Sequence, residues 1–218
     1  MPGMSEKAQK SGAKKFVRKP KAARQREIVE ATVDLIGRYG WQGTTVSRIA
    51  QAAGISRGAL YQHFPDREAV LEAALDLWHE RSSGWMAVST NPDAAQRLLE
   101  IGEAHSSWAL SEYNTFVRPF FQLIASNRQT SLSRTITGHQ QKDFRYLIGL
   151  VDEGKRQGGI HPDVDSGDVA WSLFLHAWGE DIARMMGVDQ FISEGASNRI
   201  FERLLATYST GTRTGKDG

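Results

Sequence analysis

The chain has 218 residues, 40% of them hydrophobic, and a formal net charge of +2, enough apolar material for one large domain or for a small and a medium one. It contains no cysteine, which removes disulfide frameworks and thiolate metal sites and fits a reducing, cytoplasmic setting. No apolar run approaches the roughly 20 residues that span a bilayer, and the opening residues lack the apolar core and small-residue cleavage site of a secretory signal.

The first segment is basic. Up to Arg26 it carries Lys7, Lys10, Lys14, Lys15, Arg18, Lys19, Lys21, Arg24 and Arg26 against the single acid Glu6, a local balance of +8. With almost no apolar residues, positions 1–20 read as a disordered arm. Two uses are open: a solvated tail that aids solubility, or an arm that releases counterions from DNA, with Lys21, Arg24 and Arg26 nearest the first helix.

Ile28, Ala31, Thr32, Leu35, Ile36 and Tyr39 then recur on one helical face, and Gly40 closes that helix. Ile49, Ala50 and Ala53 give a two-turn helix its apolar face, and Gly54 supplies the residue that tolerates positive φ at its end. Ser56 is placed to cap a short helix over residues 57–64, which Pro65 terminates. Its core positions are Leu60 and Phe64, while Arg57, Gln62 and His63 project elsewhere. Asp66 is placed to cap a fourth helix with the stripe Val70, Leu71, Ala74, Leu75 and Trp78. Two short helices meeting at a tight turn, with small Ala50 at the crossing, form a unit that fits one helix into the major groove of DNA.

Residues 24–71, through RQREIVEATVDLIGRYG and TTVSRIAQAAGISRGALYQHFPDREAVL, resemble the amino-terminal DNA-binding domain of the TetR family of transcriptional regulators. The resemblance implies an all-α fold: an N-terminal three-helix helix-turn-helix domain joined by a fourth helix to a C-terminal helical ligand-binding and dimerisation domain. It places Arg57, Gly58, Ala59, Gln62 and His63 on the groove-facing side of the second short helix. There Arg57 could pair with guanine, Gln62 with adenine, and Ala59 could touch a thymine methyl. Thr45, Tyr61 and Arg67 match positions that hold phosphates, with Ser47 and Arg48 as weaker candidates. Tyr61 has a second reading, completing the small core beside Leu60 and Phe64. His63 has no histidine or carboxylate at a metal-ligand spacing, and neither metal nor cofactor is implied.

Beyond residue 88 the sequence reads as further helices without strand alternation. Asn91, Pro92 and Asp93 mark a turn, with Asp93 or its neighbour capping a helix striped by Leu98, Ile101, His105 and Trp108. The span 116–126 is kinked at Pro119 or begins near it. Phe144, Leu147, Ile148 and Val151 line a long helix ended by Gly158 and Gly159. The segment 169–186 is apolar nearly all round, and a final helix carries Phe191, Ile192, Ile200, Phe201, Leu204, Leu205 and Tyr208. Both need cover on more than one side, which a homodimer through these last two helices would give.

The resemblance also implies an effector pocket, which Trp108, Phe116, Phe120, Phe121, Leu147, Trp171, Phe174 and Trp178 could line, although ordinary core packing is the first reading for any one of them. These walls suit an apolar or aromatic molecule, with His105, Arg118, His139, Arg145 and His176 as candidates to orient a polar or anionic head group. The expected organisation is an arm at 1–20, a helix-turn-helix domain at 21–68, a ligand-binding and dimerisation domain at 69–210 and a flexible tail at 211–218. No phosphate loop, nucleophile elbow or zinc-protease motif is present, so the reading is a regulator, released from a palindromic operator by a small molecule, and not an enzyme.

Overall fold

The computed structural model describes residues 20–111, 114–126 and 130–212. The expected arm at 1–20 falls almost wholly outside the described residues, as do positions 213–218 of the expected tail. Ten α-helices make up the described chain, with one isolated bridge between Ile160 and Ser209. None of the described helices is long and apolar enough to cross a membrane.

Local punctuation shapes the amino-terminal unit. Helix α1 (Lys21–Gly43) turns Ile28, Val29, Thr32 and Ile36 inward and is broken at Gly40, whose φ is 66°. The last turn after that break carries Trp41 into the interior, where its indole Nε1 donates to the Pro119 carbonyl at 2.8 Å. Helix α2 (Val46–Ala52) buries Ile49 and Ala50. It stops at Gly54, φ 64°, where the Ile55 N–H returns to the Ala50 carbonyl at 2.9 Å and the Gly54 N–H to Gln51 at 3.1 Å, the paired closure of a Schellman motif. Ser56 caps α3 (Arg57–His63) by accepting from the Ala59 N–H at 3.0 Å, and Phe64 turns extended before Pro65. Asp66 caps α4 (Arg67–Ser82) through the Ala69 N–H at 2.8 Å.

The carboxy-terminal part comprises α5 (Ala94–Ala109), α6 (Val117–Ala125), α7 (Ser131–Gln157), α8 (Ser166–Met186), α9 (Gln190–Ser193) and α10 (Ala196–Ala206). Asp93 caps α5, Pro119 sits in the first turn of α6, where its missing N–H costs nothing, and Gly158 (φ 79°) ends α7. The expected single final helix is two: Gly195, at φ 69°, separates α9 from α10. Two apolar clusters form the interior. One joins α1–α4 to Phe116, Phe120, Leu123, Leu132 and Ile136, so the small amino-terminal core is continuous with α6 and the start of α7. The other lies among α5, α7, α8 and α10.

At the crossing of α5 and α10, Gly102 lies against the Phe201 ring. A Cβ at Gly102 would stand 2.2 Å from Phe201 Cε1. Gly102→Ala would gain about 1 kcal/mol of helix propensity but overpack the crossing by about 1–3 kcal/mol. We expect a net loss of stability in urea unfolding; a stabilised variant would show that α5 and α10 are not in this contact.

Candidate nucleic-acid interface and internal cavity

Helix α3 leaves one face uncovered. Arg57, Gly58, Tyr61 and Gln62 are exposed and Ala59 is partly so, while Leu60 and Phe64 fill the core. Tyr61 is 47% exposed, so the phenol faces solvent and the small core closes without it. His63 is half-buried, and its carbonyl accepts from Gln25 Nε2 at 3.0 Å, tying the end of α3 to α1. Among the described residues no cluster of His, Cys, Asp or Glu has metal-binding geometry.

At the start of α2, Thr45 is the N-cap and accepts from the Arg48 N–H at 3.3 Å, with Ser47 exposed beside it. The Arg48 guanidinium lies 4.6 Å from the centroid of Tyr39 and donates to the Gly43 carbonyl at 2.6 Å, so it is held on the α1 end. Arg67 is another residue that the resemblance places at a phosphate. It is half-buried, with Nε donating to the Thr44 carbonyl at 2.8 Å and Nη2 to that of Trp41. Its guanidinium closes the α1–α2 junction. Of the cations expected to extend the arm, Arg24 pairs with Glu27 at 2.9 Å and Arg26 with Glu30 at 3.3 Å, whereas Lys21 is exposed.

The second feature is internal. Helices α4, α5, α6, α7, α8 and α10, with the short turn at residues 83–87, surround a cavity that offers ≈ 70 Å³ to the centre of a water-sized sphere, room for several waters at about 10–15 Å³ each. Of the residues that the sequence offers for an effector pocket, Trp108, Phe120, Leu147, Phe174 and Trp178 line it. Three expected residues are elsewhere. Phe116 is buried beside the cavity's α4 wall, stacked on Trp78 at 4.7 Å and edge-on to Trp41 at 5.3 Å. Phe121 is partly buried behind Phe120, 5.3 Å away. Trp171 is 45% exposed on the outer face of α8.

Polar groups in the wall are the part that hydrophobic periodicity missed. Glu180 and Asp181 are buried on α8, and Asp143 on α7. Glu180 accepts from His105 Nδ1 at 2.7 Å, from Ser106 at 2.5 Å and from Ser197. Because the single Ser197 proton goes to Glu180, His176 Nε2, 3.0 Å away, donates to the Ser197 oxygen. Burial pushes Glu180 up, but these hydrogen bonds outweigh it and hold the carboxyl below its ordinary value. Burial lowers His176 despite the nearby Glu180. The expected head-group candidates divide: His105 and His176 line the cavity. Arg118 and Arg145 are exposed, and His139 pairs with Asp76 at 3.0 Å outside the lining. A readable signal existed, since adjacent acids at 180–181 interrupt the most apolar helix of the chain.

Comparison with known proteins agrees with this geometry. Residues 28–74 match the family model for bacterial regulatory proteins of the tetR family. The chain is 31% identical over 156 residues to the HTH-type transcriptional repressor KstR2 of Rhodococcus jostii (strain RHA1), covering 66% of this chain and 72% of that protein. It is 24% identical over 152 residues to the fatty acid metabolism regulator protein of Bacillus subtilis (strain 168), covering 67% and 76%. A crystal structure of a TetR transcriptional regulator from Chloroflexus aurantiacus J-10-FL shares the fold, with TM-score 0.74 at 18% identity over 87% of this chain and 97% of that one. The chain belongs to the TetR family. It is a helix-turn-helix, DNA-binding regulator of transcription.

One cavity wall holds a buried carboxyl beside two stacked histidines. Asp143 Oδ1 lies 3.5 Å from His79 Nε2, and His79 stacks on His139 at 4.1 Å. Burial pushes Asp143 from 3.8 up to about 7, and burial together with the neighbouring His139 takes His79 from 6.5 down to about 4. A raised carboxyl stabilises the fold fully below its unfolded value and loses that contribution as pH climbs to about 7; the lowered histidine acts oppositely below pH 6.5. Comparison with Asp143→Asn isolates the carboxyl. The variant should gain on the wild type between pH 4 and 7, by at most about 4 kcal/mol at 1.36 kcal/mol per unit, and level off above. Urea titrations across that range check it; a pH-independent difference would contradict burial of the carboxyl.

Proposed function

We propose that the protein is a homodimeric repressor that reads a palindromic operator through α3 and is released when a small molecule occupies the internal cavity. The observation that carries the reading is the exposed polar face of α3, Arg57, Gly58, Tyr61 and Gln62, on a helix capped at both ends and backed by Leu60 and Phe64. A rigid, short, surface-facing helix of this kind places few side chains at base edges with little ordering cost, and each good bidentate pair discriminates by about 1–3 kcal/mol.

Symmetry is supported by α8. Trp171, Leu175, Ile182 and Met186 are all exposed and fall within one narrow arc of the helix at 100° per residue, with Gly179, whose Cβ position is open, between them. A run of exposed apolar side chains of this length marks an interface, and Phe191 of α9 and Ile200 of α10 are exposed as well. Pairing two chains across it would set two reading heads about 34–36 Å apart, one turn of duplex. Residues 1–20 would add sequence-independent affinity by counterion release.

Release follows from size. A cavity of ≈ 70 Å³ cannot take a sizeable effector unless its helices part, and one wall, α4, also packs against α1 in the amino-terminal core. The effector must favour the DNA-incompetent arrangement; moving a 1:99 equilibrium to 99:1 takes about 5.5 kcal/mol of differential binding.

Selection of bound sequences from random duplex should return a two-fold symmetric site, and Arg57→Ala should relax base preference at one position per half-site while leaving the others. An asymmetric consensus, or an unchanged one in the variant, would refute the reading head. Leu175→Glu combined with Ile182→Glu should yield a monomer in analytical ultracentrifugation and lower DNA affinity at least 100-fold; retained dimer would move the interface off α8. Removing residues 1–20 should flatten the salt dependence of binding by about 0.9 log unit per lost phosphate contact, and an unchanged slope would assign the arm to solubility alone.

A further inference from the structure

We infer that Tyr39 is a positioning residue for DNA binding, whose ring holds Arg48 ready to meet a backbone phosphate beside the reading head. The inference rests on the reading of the amino-terminal unit as DNA-binding and adds to it a contact set by the break in α1.

Tyr39 immediately precedes Gly40, whose φ of 66° breaks α1. In sequence it continues the apolar stripe of Ile28, Thr32 and Ile36, yet the ring is 52% exposed and joins neither of the apolar clusters. What the ring touches is a cation. The Arg48 guanidinium lies 4.6 Å from its centroid, inside the distance of about 6 Å at which a ring face attracts a cation. Gly43 makes room for the pair, since a Cβ there would stand 2.8 Å from Tyr39 Cβ and 3.4 Å from Arg48 Nη1. The Gly43 carbonyl accepts from Arg48 Nη1 at 2.6 Å, so the guanidinium is fixed from two sides.

Held in this way, Arg48 keeps its charge for a partner outside the chain. Other arginines of the same unit are neutralised, Arg24 by Glu27 and Arg26 and Arg81 by Glu30. Arg48 is exposed and meets no carboxylate among the described residues, and its Nε and Nη2 donate to no acceptor among them. The hydroxyls of Thr45 and Ser47 are exposed on the same turn of α2, and α2 leads through the turn at Gly54 into α3. A guanidinium without an acid, flanked by two hydroxyls, is a donor set for phosphate oxygens, which fix position on a duplex without reading sequence. Ordering a long side chain at the moment of binding weakens a complex. The Tyr39 ring and the Gly43 carbonyl order this one beforehand.

The test follows the full chain by fluorescence anisotropy on the selected DNA site and on a scrambled duplex, across a range of salt. Tyr39→Leu should weaken both duplexes alike, by about two- to fivefold per subunit for an exposed cation–π contact, with the salt slope of the wild type because the charge remains. Tyr39→Phe keeps a ring face and should bind as the wild type does. Arg48→Ala should flatten the slope by about 0.9 log unit per subunit, and Tyr39→Leu should weaken binding no further in that background. The same Tyr39→Leu loss beside Arg48→Ala would show that the ring acts through packing, and would overturn the inference. An unchanged slope for Arg48→Ala, or wild-type affinity for Tyr39→Leu, would overturn it too. If these variants match the wild type while Arg57→Ala still relaxes base preference, the DNA reading survives and this inference fails. If the wild-type chain binds neither duplex, both fail.

Discussion

Three aromatic rings tie the DNA-reading unit to the rest of the molecule. Phe116 lies stacked on Trp78 of α4 and edge-on to Trp41, which follows the break at Gly40. The Trp41 indole is fixed in turn by its hydrogen bond to the Pro119 carbonyl of α6. Each ring pair contributes about 0.5–1.5 kcal/mol beyond its buried area, and the geometry matters more than the sum. Trp41 lies in the last turn of the helix on which α2 packs, and Arg67, the first residue of α4, holds the same junction by donating to the Trp41 and Thr44 carbonyls. The amino-terminal unit therefore does not hang from α4 alone; it is clamped between α4 and α6.

Trp78 and Phe120 have a second role, because they also line the cavity and lie 5.5 Å apart. In the proposed mechanism a change in cavity volume would act on the rings that anchor the end of α1, without any intermediary segment. Close packing makes such a coupling stepwise, since a dense interior accepts few intermediate arrangements. The polar network of His105, Ser106, Ser197 and Glu180 ties α5, α8 and α10 together on the opposite wall.

Much of the amino-terminal unit is legible in the sequence because its signals act within a few residues. Gly54, Ser56, Pro65 and Asp66 each govern their own turn, and the structure follows them. Gly195 is a signal of the same kind, yet the apolar residues on both sides suggest one helix where there are two. The cavity is less legible. Periodicity tells that Phe116, Phe121 and Trp171 are apolar positions on helices, but not whether they face a void, a core or solvent. The carbonyl partners of Arg67 are not legible either, because they lie more than 20 residues away in sequence. The acids Asp143, Glu180 and Asp181 acquire meaning only when α7 and α8 enclose them.

The central claim is that cavity volume and reading-head position are joined through Phe116, and a ligand-free measurement addresses it directly. Ala177 lines the cavity, so Ala177→Phe mimics an occupant, and Phe116→Leu loosens the junction without touching the lining. Affinity for the selected DNA site would be measured for both single variants and the double variant by fluorescence anisotropy, with circular dichroism to show that each is folded. The account expects Ala177→Phe to weaken DNA binding at least tenfold in the wild-type background and by less than threefold beside Phe116→Leu. An equal loss in both backgrounds would contradict it.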